Sequence, residues 1–367
     1  MRKLISDFFV GNPKIEVVGT ARNGKDAIKK IQQLKPNVVT MDVEMPEMNG
    51  LDALKRIMEI CPVPVVMLSS TTQGGAENTL TAMESGAVDF VAKPSGTISL
   101  DLHKIRDELV YKVEQAAQVS VSKLKKQIGT SHIGKQEAPT YVNVPKPVRL
   151  PKPLVNKQVE SSKTFTPQAK REWNNTSKKV VLIGTSTGGP RALQEVITKI
   201  PANIQAPILI VQHMPAGFTK SLATRLDQLS KIKVKEAEQG DILQNGVAYI
   251  APGGYHLKLR KVGISFGIVL DQTEPPRSGH RPSVDVMFKE VSKYDDFDKI
   301  AVIMTGMGYD GSKGLIALKQ TGNVMAIAES ADTCIVYGMP KAAVETQLVD
   351  EVADVDNIAQ SIMKYML

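Results

Sequence analysis

The chain has 367 residues, enough for two domains of ordinary size, and its 42% hydrophobic content is ample for packed cores. No apolar run approaches the ~20 residues of a membrane helix, and Cys61 and Cys334 are too far apart in sequence to read as a zinc or disulfide framework. The formal net charge of +8 raises nucleic acid as a partner, but residues 121–179 alone hold eleven Lys and two Arg against three Glu, which leaves the rest of the chain at about −2.

The chain opens with "MRKLISDFFVGNP", whose apolar part is short and broken by Ser6 and Asp7. It reads as a helix, not as a secretory signal, and the expected compartment is the cytoplasm. Strand and helix signals then alternate. "IEVVGTA" (15–21) reads as a short strand, "GKDAIKKIQQL" as an amphipathic helix, "NVVTMDV" (37–43) as a strand and "NGLDALKRIMEI" as a helix. "PVVMLSS" (64–70), "GAENTLTAMESG" and "VDFVAKP" continue as strand, helix and strand, and 100–126 is mostly one helix. Repeated βα units of this length predict a parallel sheet covered by helices. Ligands of such sheets gather at the carboxyl ends of the strands, where Asp42, Ser69 and Lys93 fall. Strand ends are wet, so any one polar residue there is unremarkable. A carboxylate, a hydroxyl and an ammonium on one edge can together receive and neutralise a phosphoryl group.

"MDVEMPEMNGLDAL", "VVMLSS" and "DFVAKP" resemble the receiver domain of bacterial response regulators. The resemblance implies Asp42 as phosphoacceptor, Ser69 as switch hydroxyl, Phe90 as switch aromatic, Lys93 as partner of the phosphoryl oxygens, and a cis Lys93–Pro94 peptide. It also implies Mg²⁺ held by a pair of acidic residues at the end of a first strand. That strand and pair are missing here, so no metal ligand is assigned in this chain. In a flavodoxin-like sheet the missing strand is an inner one, and its loss predicts unpaired backbone and a groove. Residues 1–117 therefore read as an N-terminally truncated receiver.

Residues 118–177 read as a basic linker, with six prolines between Lys123 and Lys170 and "PKPVRLPKP" at its centre. From 178 to 367 the βα pattern returns. "KKVVLIGTS", "APILIVQHM", "KIAVIMTGMGYDG" and "VMAIAES" read as parallel strands with helices between, and "YHLKLRKVG" and "ISFGIVLD" as a hairpin turning near Val262–Gly263. The expected fold class is α/β throughout: a flavodoxin-like receiver, then a doubly wound, mostly parallel catalytic domain with an antiparallel hairpin.

"GTSTG" (184–188) fits G-x-S-x-G, a strand-to-helix turn whose small residues leave the Ser186 hydroxyl accessible. It lacks the Gly-Lys-Ser/Thr of a phosphate loop and the spacing of a dinucleotide turn. Alone it is equally a tightly packed βα turn. His213 follows a second apolar strand and Asp310 a third. A lone His there is more often a bonded loop residue, and a lone Asp before Gly more often a turn former. A Ser, a His and an Asp at one sheet edge supply a nucleophile, a base and an orienting carboxylate. His256 and His280 compete for the base, but neither ends an apolar parallel-type strand; His280 is placed with Arg281 as shaping the substrate cleft. Two other readings are a phosphate binder using "GTSTGG" and a nucleic-acid regulator. The second needs a basic recognition helix, and none is apparent outside the linker.

"IGTSTGGP", "VQHMPAGFT", "YIAPGGYH", "HRPSVDVMF" and "MTGMGYDG" strongly resemble the catalytic domain of chemotaxis protein-glutamate methylesterases. The resemblance implies hydrolysis of glutamate γ-methyl esters on methyl-accepting chemoreceptors and deamidation of particular receptor glutamines. It implies an oxyanion donor at the Met307 amide; the turn itself points to the Thr187 amide as a second. It implies a chemotaxis histidine kinase as phosphodonor and a receiver that covers the cleft until phosphorylated. The ester chemistry calls for no cofactor, and neither nucleic acid nor membrane insertion is expected.

Overall fold

The computed structural model describes residues 2–93, 99–120, 173 and 177–366. The N-terminal unit contains α1 (Arg2–Phe9), α2 (Gly24–Leu34), β1 (Val39–Asp42), α3 (Gly50–Ile60), β2 (Val65–Ser69), α4 (Gln73–Glu84), β3 (Asp89–Ala92) and α5 (Ser99–Ala116). Its helices start where the side chains dictate. Asn23, Asn49 and Thr72 each cap a helix, accepting from the amides of Asp26, Asp52 and Gly75. The sheet is parallel in the order β1–β2–β3.

The expected strand at 15–21 is not formed. Its residues run without a ladder partner, and Val17 and Val18 are 44% and 50% exposed. An apolar stretch becomes a strand only if another strand takes its amides and carbonyls. Here a cavity of about 760 Å³ separates it from the rest, lined by Phe9, Val17, Ile31, Val39, Leu68 and Val113 among others. β1 pairs only β2 among the described residues, so its other edge faces this cavity. The expected groove is thus present. The cis Lys93–Pro94 bond falls outside the described residues, as does most of the linker; the cis bond that is present joins Arg281 and Pro282.

The second unit contains β4 (Lys179–Thr185), α6 (Gly189–Ile197), β5 (Ile208–Gln212), α7 (Phe218–Leu229), β6 (Lys233–Glu236), β7 (Val247–Ile250), β8 (His256–Val262), β9 (Ser265–Asp271), α8 (Val284–Val291), β10 (Asp298–Ile303), α9 (Ser312–Gln320), β11 (Val324–Glu329), α10 (Met339–Glu345), β12 (Glu351–Ala353) and α11 (Val355–Lys364). Seven strands pair in the order β12–β11–β10–β4–β5–β7–β6, all in parallel. β8 and β9 form the antiparallel hairpin, with Val262 opposite Ser265 across a Gly263–Ile264 turn. The edge strands β6 and β12 were not anticipated, because each is short and mixes charged with apolar residues.

Successive side chains of a strand point to opposite faces. Val181 and Ile183 of β4 join the core under α6, α7 and α11, while Val180 and Leu182 join the core under α8, α9 and the hairpin. Both faces are covered, which is why β4, β5 and β10 read as unbroken apolar runs. β4 lies close to α8: a Cβ added at Gly184 would stand 2.4 Å from Val284 Cγ1.

Gly184→Ala should therefore destabilise the second unit by about 1–3 kcal/mol, through overpacking of β4 against α8. The measurement is the urea midpoint followed by Trp173 fluorescence, since this sole tryptophan packs against Tyr365 of the second unit. Gly74→Ala, with open space around the added carbon, should leave that midpoint unchanged.

Candidate active site

β4 sits between β10 and β5, in register Gly184↔Val211 on one side and Ile303↔Gly184 on the other. All three strands run the same way, so their next residues meet at one edge. Ser186 N donates to Thr305 O at 3.0 Å, and His213 N to Thr185 O at 3.2 Å. Gln212 ties the first two strands together: its amide nitrogen donates to Ser186 O at 2.9 Å and to His213 O at 3.3 Å. Thr305 Oγ1 donates to Thr187 O at 3.0 Å, and the buried Glu329 accepts from Thr305 N at 2.7 Å. Sequence reasoning missed Gln212, Thr305 and Glu329; a polar residue at or just past the end of an apolar strand was the available signal.

His213 Nε2 lies 2.8 Å from Asp310 Oδ2, and both side chains are almost fully buried. An ionised carboxylate only accepts, so Nε2 carries the proton and Nδ1 presents its lone pair. Nδ1 is buried and has no partner among the described residues. Asp310 accepts three further hydrogen bonds: from Ser283 Oγ at 2.8 Å, Val284 N at 2.7 Å and Asp285 N at 2.9 Å. Ser283 caps α8, so the start of this helix is the cradle of the carboxylate. Burial pushes the Asp310 carboxyl up, but the His213 contact and the α8 amides outweigh it and leave it at about 2. Asp285 extends the arrangement, accepting from the amides of Gly311 and Gly314 at 2.9 and 2.7 Å.

Ser186 is nearly buried on the turn before α6, and its hydroxyl makes no hydrogen bond to His213 among the described residues. Catalytic contacts are often loose without substrate. No hydrogen bond from the Thr187 or Met307 amide is found among the described residues. The other histidines separate clearly. His256 is fully buried on the hairpin with Nε2 3.2 Å from Pro275 O, and burial pulls its pKa down. His280 stacks on His213, ring centroids 3.9 Å apart. Arg281 turns from the cleft to the carbonyls of Gln272 and Glu274 at 2.6 and 3.2 Å, bracing its own loop.

The N-terminal unit packs over this edge. Thr187 Oγ1 donates to Asp89 of β3, whose other oxygen lies 3.2 Å from Lys112 Nζ of α5. Phe90 packs on Phe218 of α7 with ring centroids 4.7 Å apart. Arg225 of α7 makes a two-pronged ion pair with Glu84 of α4 at 2.9 and 3.1 Å. At the far end of β1, Lys93 Nζ lies 2.6 Å from Asp42 Oδ1 and 3.7 Å from Glu44 Oε2. Ser69 follows Leu68, the residue paired with Asp42 across the sheet, and its buried hydroxyl donates to Gly75 O at 2.9 Å. Mg²⁺ needs several oxygen ligands in a near-octahedral set. The donors here are Asp42 and Glu44, with the Lys93 ammonium already on both, and among the described residues no group of three or more His, Cys, Asp or Glu could hold a metal ion. These residues do not fit the ion. Among the described residues no helix is long and apolar enough to cross a membrane.

Residues 181–362 match the CheB methylesterase family, and residues 1–103 the response regulator receiver domain. The crystal structure of the Thermotoga maritima CheB methylesterase catalytic domain is 43% identical, with a TM-score of 0.49, covering 52% of this chain and 99% of that one. The protein-glutamate methylesterase/protein-glutamine glutaminase of Bacillus subtilis is 50% identical over 362 residues, 99% of this chain and 94% of its own. That of Halalkalibacterium halodurans is 51% identical over 364 residues, again 99% and 94%. The chain thus belongs to the protein-glutamate methylesterase/protein-glutamine glutaminase family, a hydrolase in which a receiver precedes a CheB-type esterase domain.

Proposed function

We propose that the protein hydrolyses glutamate γ-methyl esters on chemoreceptor cytoplasmic segments, and deamidates particular glutamines there, by a Ser186–His213–Asp310 triad. The observation that carries the reading is the 2.8 Å His213–Asp310 contact together with the buried, unpartnered Nδ1 of the same ring, next to the Ser186 strand end. In this reading Ser186 Oγ attacks the acyl carbon and its proton passes to His213 Nδ1. The protonated imidazole is stabilised by Asp310 through Nε2–H. Nδ1–H then protonates the departing methanol or ammonia, and water repeats the sequence to release the free glutamate. Acid–base help of this kind is worth about 10²–10⁴-fold. The amides of Met307 and Thr187 are the proposed oxyanion donors, each worth roughly 3–4 kcal/mol where such a donor is preorganised.

The receiver is proposed to gate the site, with Asp42 accepting a phosphoryl group from a chemotaxis histidine kinase. Asp89, Phe90 and Glu84 supply the coupling, because they lie on the receiver face that packs on Thr187, Phe218 and Arg225. The magnitudes suit a reversible lid. An aromatic pair adds about 0.5–1.5 kcal/mol beyond its area, and a partly exposed ion pair about 0–1 kcal/mol. A shift of a few kcal/mol moves such an equilibrium.

Three outcomes are expected. A serine-directed phosphonate should label Ser186 in the intact chain; labelling should vanish in Ser186→Ala and fall at least about 10²-fold in His213→Ala, and equal labelling of all three proteins sinks the triad. Asp310→Asn should cut methanol release from methylated receptor fragments by about 10³–10⁴-fold; because the Asp310 carboxyl sits at about 2, its protonation should cost wild-type activity only well below pH 5. Asp89→Ala combined with Arg225→Ala should raise the basal esterase rate of the unphosphorylated chain, and an unchanged rate would argue against the proposed contacts.

A further inference from the structure

A second imidazole lies flat on that of His213. The rings of His213 and His280 are 3.9 Å apart with 7° between their planes. His280 is delivered by a tight turn in which Arg277 and His280 exchange both backbone hydrogen bonds, at 3.0 and 2.8 Å. Ser278 and Gly279 take φ of 50° and 84°, the two positive values such a turn requires. Three residues further on, Ser283, Val284 and Asp285 grip Asp310. One short stretch of chain therefore holds both the carboxylate partner of His213 and a face of its ring.

These two constraints are complementary. The Nε2–Asp310 hydrogen bond fixes one atom of the imidazole but leaves the ring free to swing about that contact. A flat neighbour fixes the plane. With both in place the direction of Nδ1 is determined, and with it the angle at which the ring receives the Ser186 proton. We propose, on the triad reading, that His280 is a positioning residue: a neutral aromatic platform that sets the plane of His213 and excludes water from that face. Neutrality matters because His213 gains a proton during the reaction, and a charged neighbour at stacking distance would oppose it. His280 faces His213, Asp310 and, from the receiver, Lys112. Burial, then the charge of His213, hold its pKa down at about 3, with Asp310 opposing and Lys112 assisting. It is therefore uncharged at neutral pH.

The test compares three variants of the full chain: His280→Phe, His280→Gln and His280→Ala. Phe keeps the flat neutral ring, Gln keeps polarity without it, and Ala removes both. Ala and Gln should lower kcat about 10–100-fold with KM within about twofold, because misdirecting a bound group costs the chemical step. Phe should recover kcat to within about threefold of wild type. Phosphonate labelling of Ser186 should slow in step with kcat. Wild-type kcat in Gln or Ala overturns the proposal, and so does an equal loss in Phe and Ala. If Ala does not fold, the contrast between Phe and Gln decides alone. A wild-type chain that neither labels at Ser186 nor releases methanol would instead defeat the triad reading.

Discussion

The parallel pairing of β4 with β10 on one side and β5 on the other is the constraint from which the rest follows. It makes three strands stop at the same edge, so the residues just past them become neighbours although they are 27 and 124 positions apart in sequence from Ser186 to His213 and to Asp310. A slip of one residue in either ladder would turn every side chain of the strand to the opposite face. The two apolar cores prevent this, because β4 sends Val181 and Ile183 into one and Val180 and Leu182 into the other. The placement of Ser186 and His213 at that edge is thus inherited from core packing.

A buried carboxylate must be satisfied or it takes up a proton. Asp310 is satisfied by the His213 ring, by Ser283 and by two amides at the start of α8, which is why it stays ionised against its own burial. The same helix approaches β4 so closely that only a glycine fits at position 184. The spacing between sheet and helix, the charge of Asp310 and the tautomer of His213 are therefore one structural decision. With the proton fixed on Nε2, Nδ1 keeps its lone pair.

The receiver contacts are of a different kind. They are made by side chains at the ends of receiver elements, Glu84 at the end of α4 and Asp89 and Phe90 at the start of β3; the Asp89 and Phe90 contacts are buried, and the Glu84–Arg225 pair is partly exposed. Asp89 touches Thr187, the residue next to Ser186, so the receiver has a hydrogen bond inside the cleft of the other domain.

Hydrophobic runs and turn residues were enough to find β4, β5, β10 and β11, the hairpin and the edge where Ser186, His213 and Asp310 gather, since those signals are local and periodic. They misjudged 15–21, where the composition of a strand is present without a partner to pair with, and passed over β6 and β12, which become strands only because a neighbour offers a free edge. The sequence also says nothing about which nitrogen of His213 meets Asp310, that the Ser69 hydroxyl turns to Gly75, that Asp89 reaches Thr187, or that His280 lies on His213. Periodicity specifies which face a residue occupies, a property of a few neighbours along the chain. The choice of hydrogen-bond partner and ring plane depends on distances and angles between segments far apart in sequence, and only the packed tertiary structure sets those.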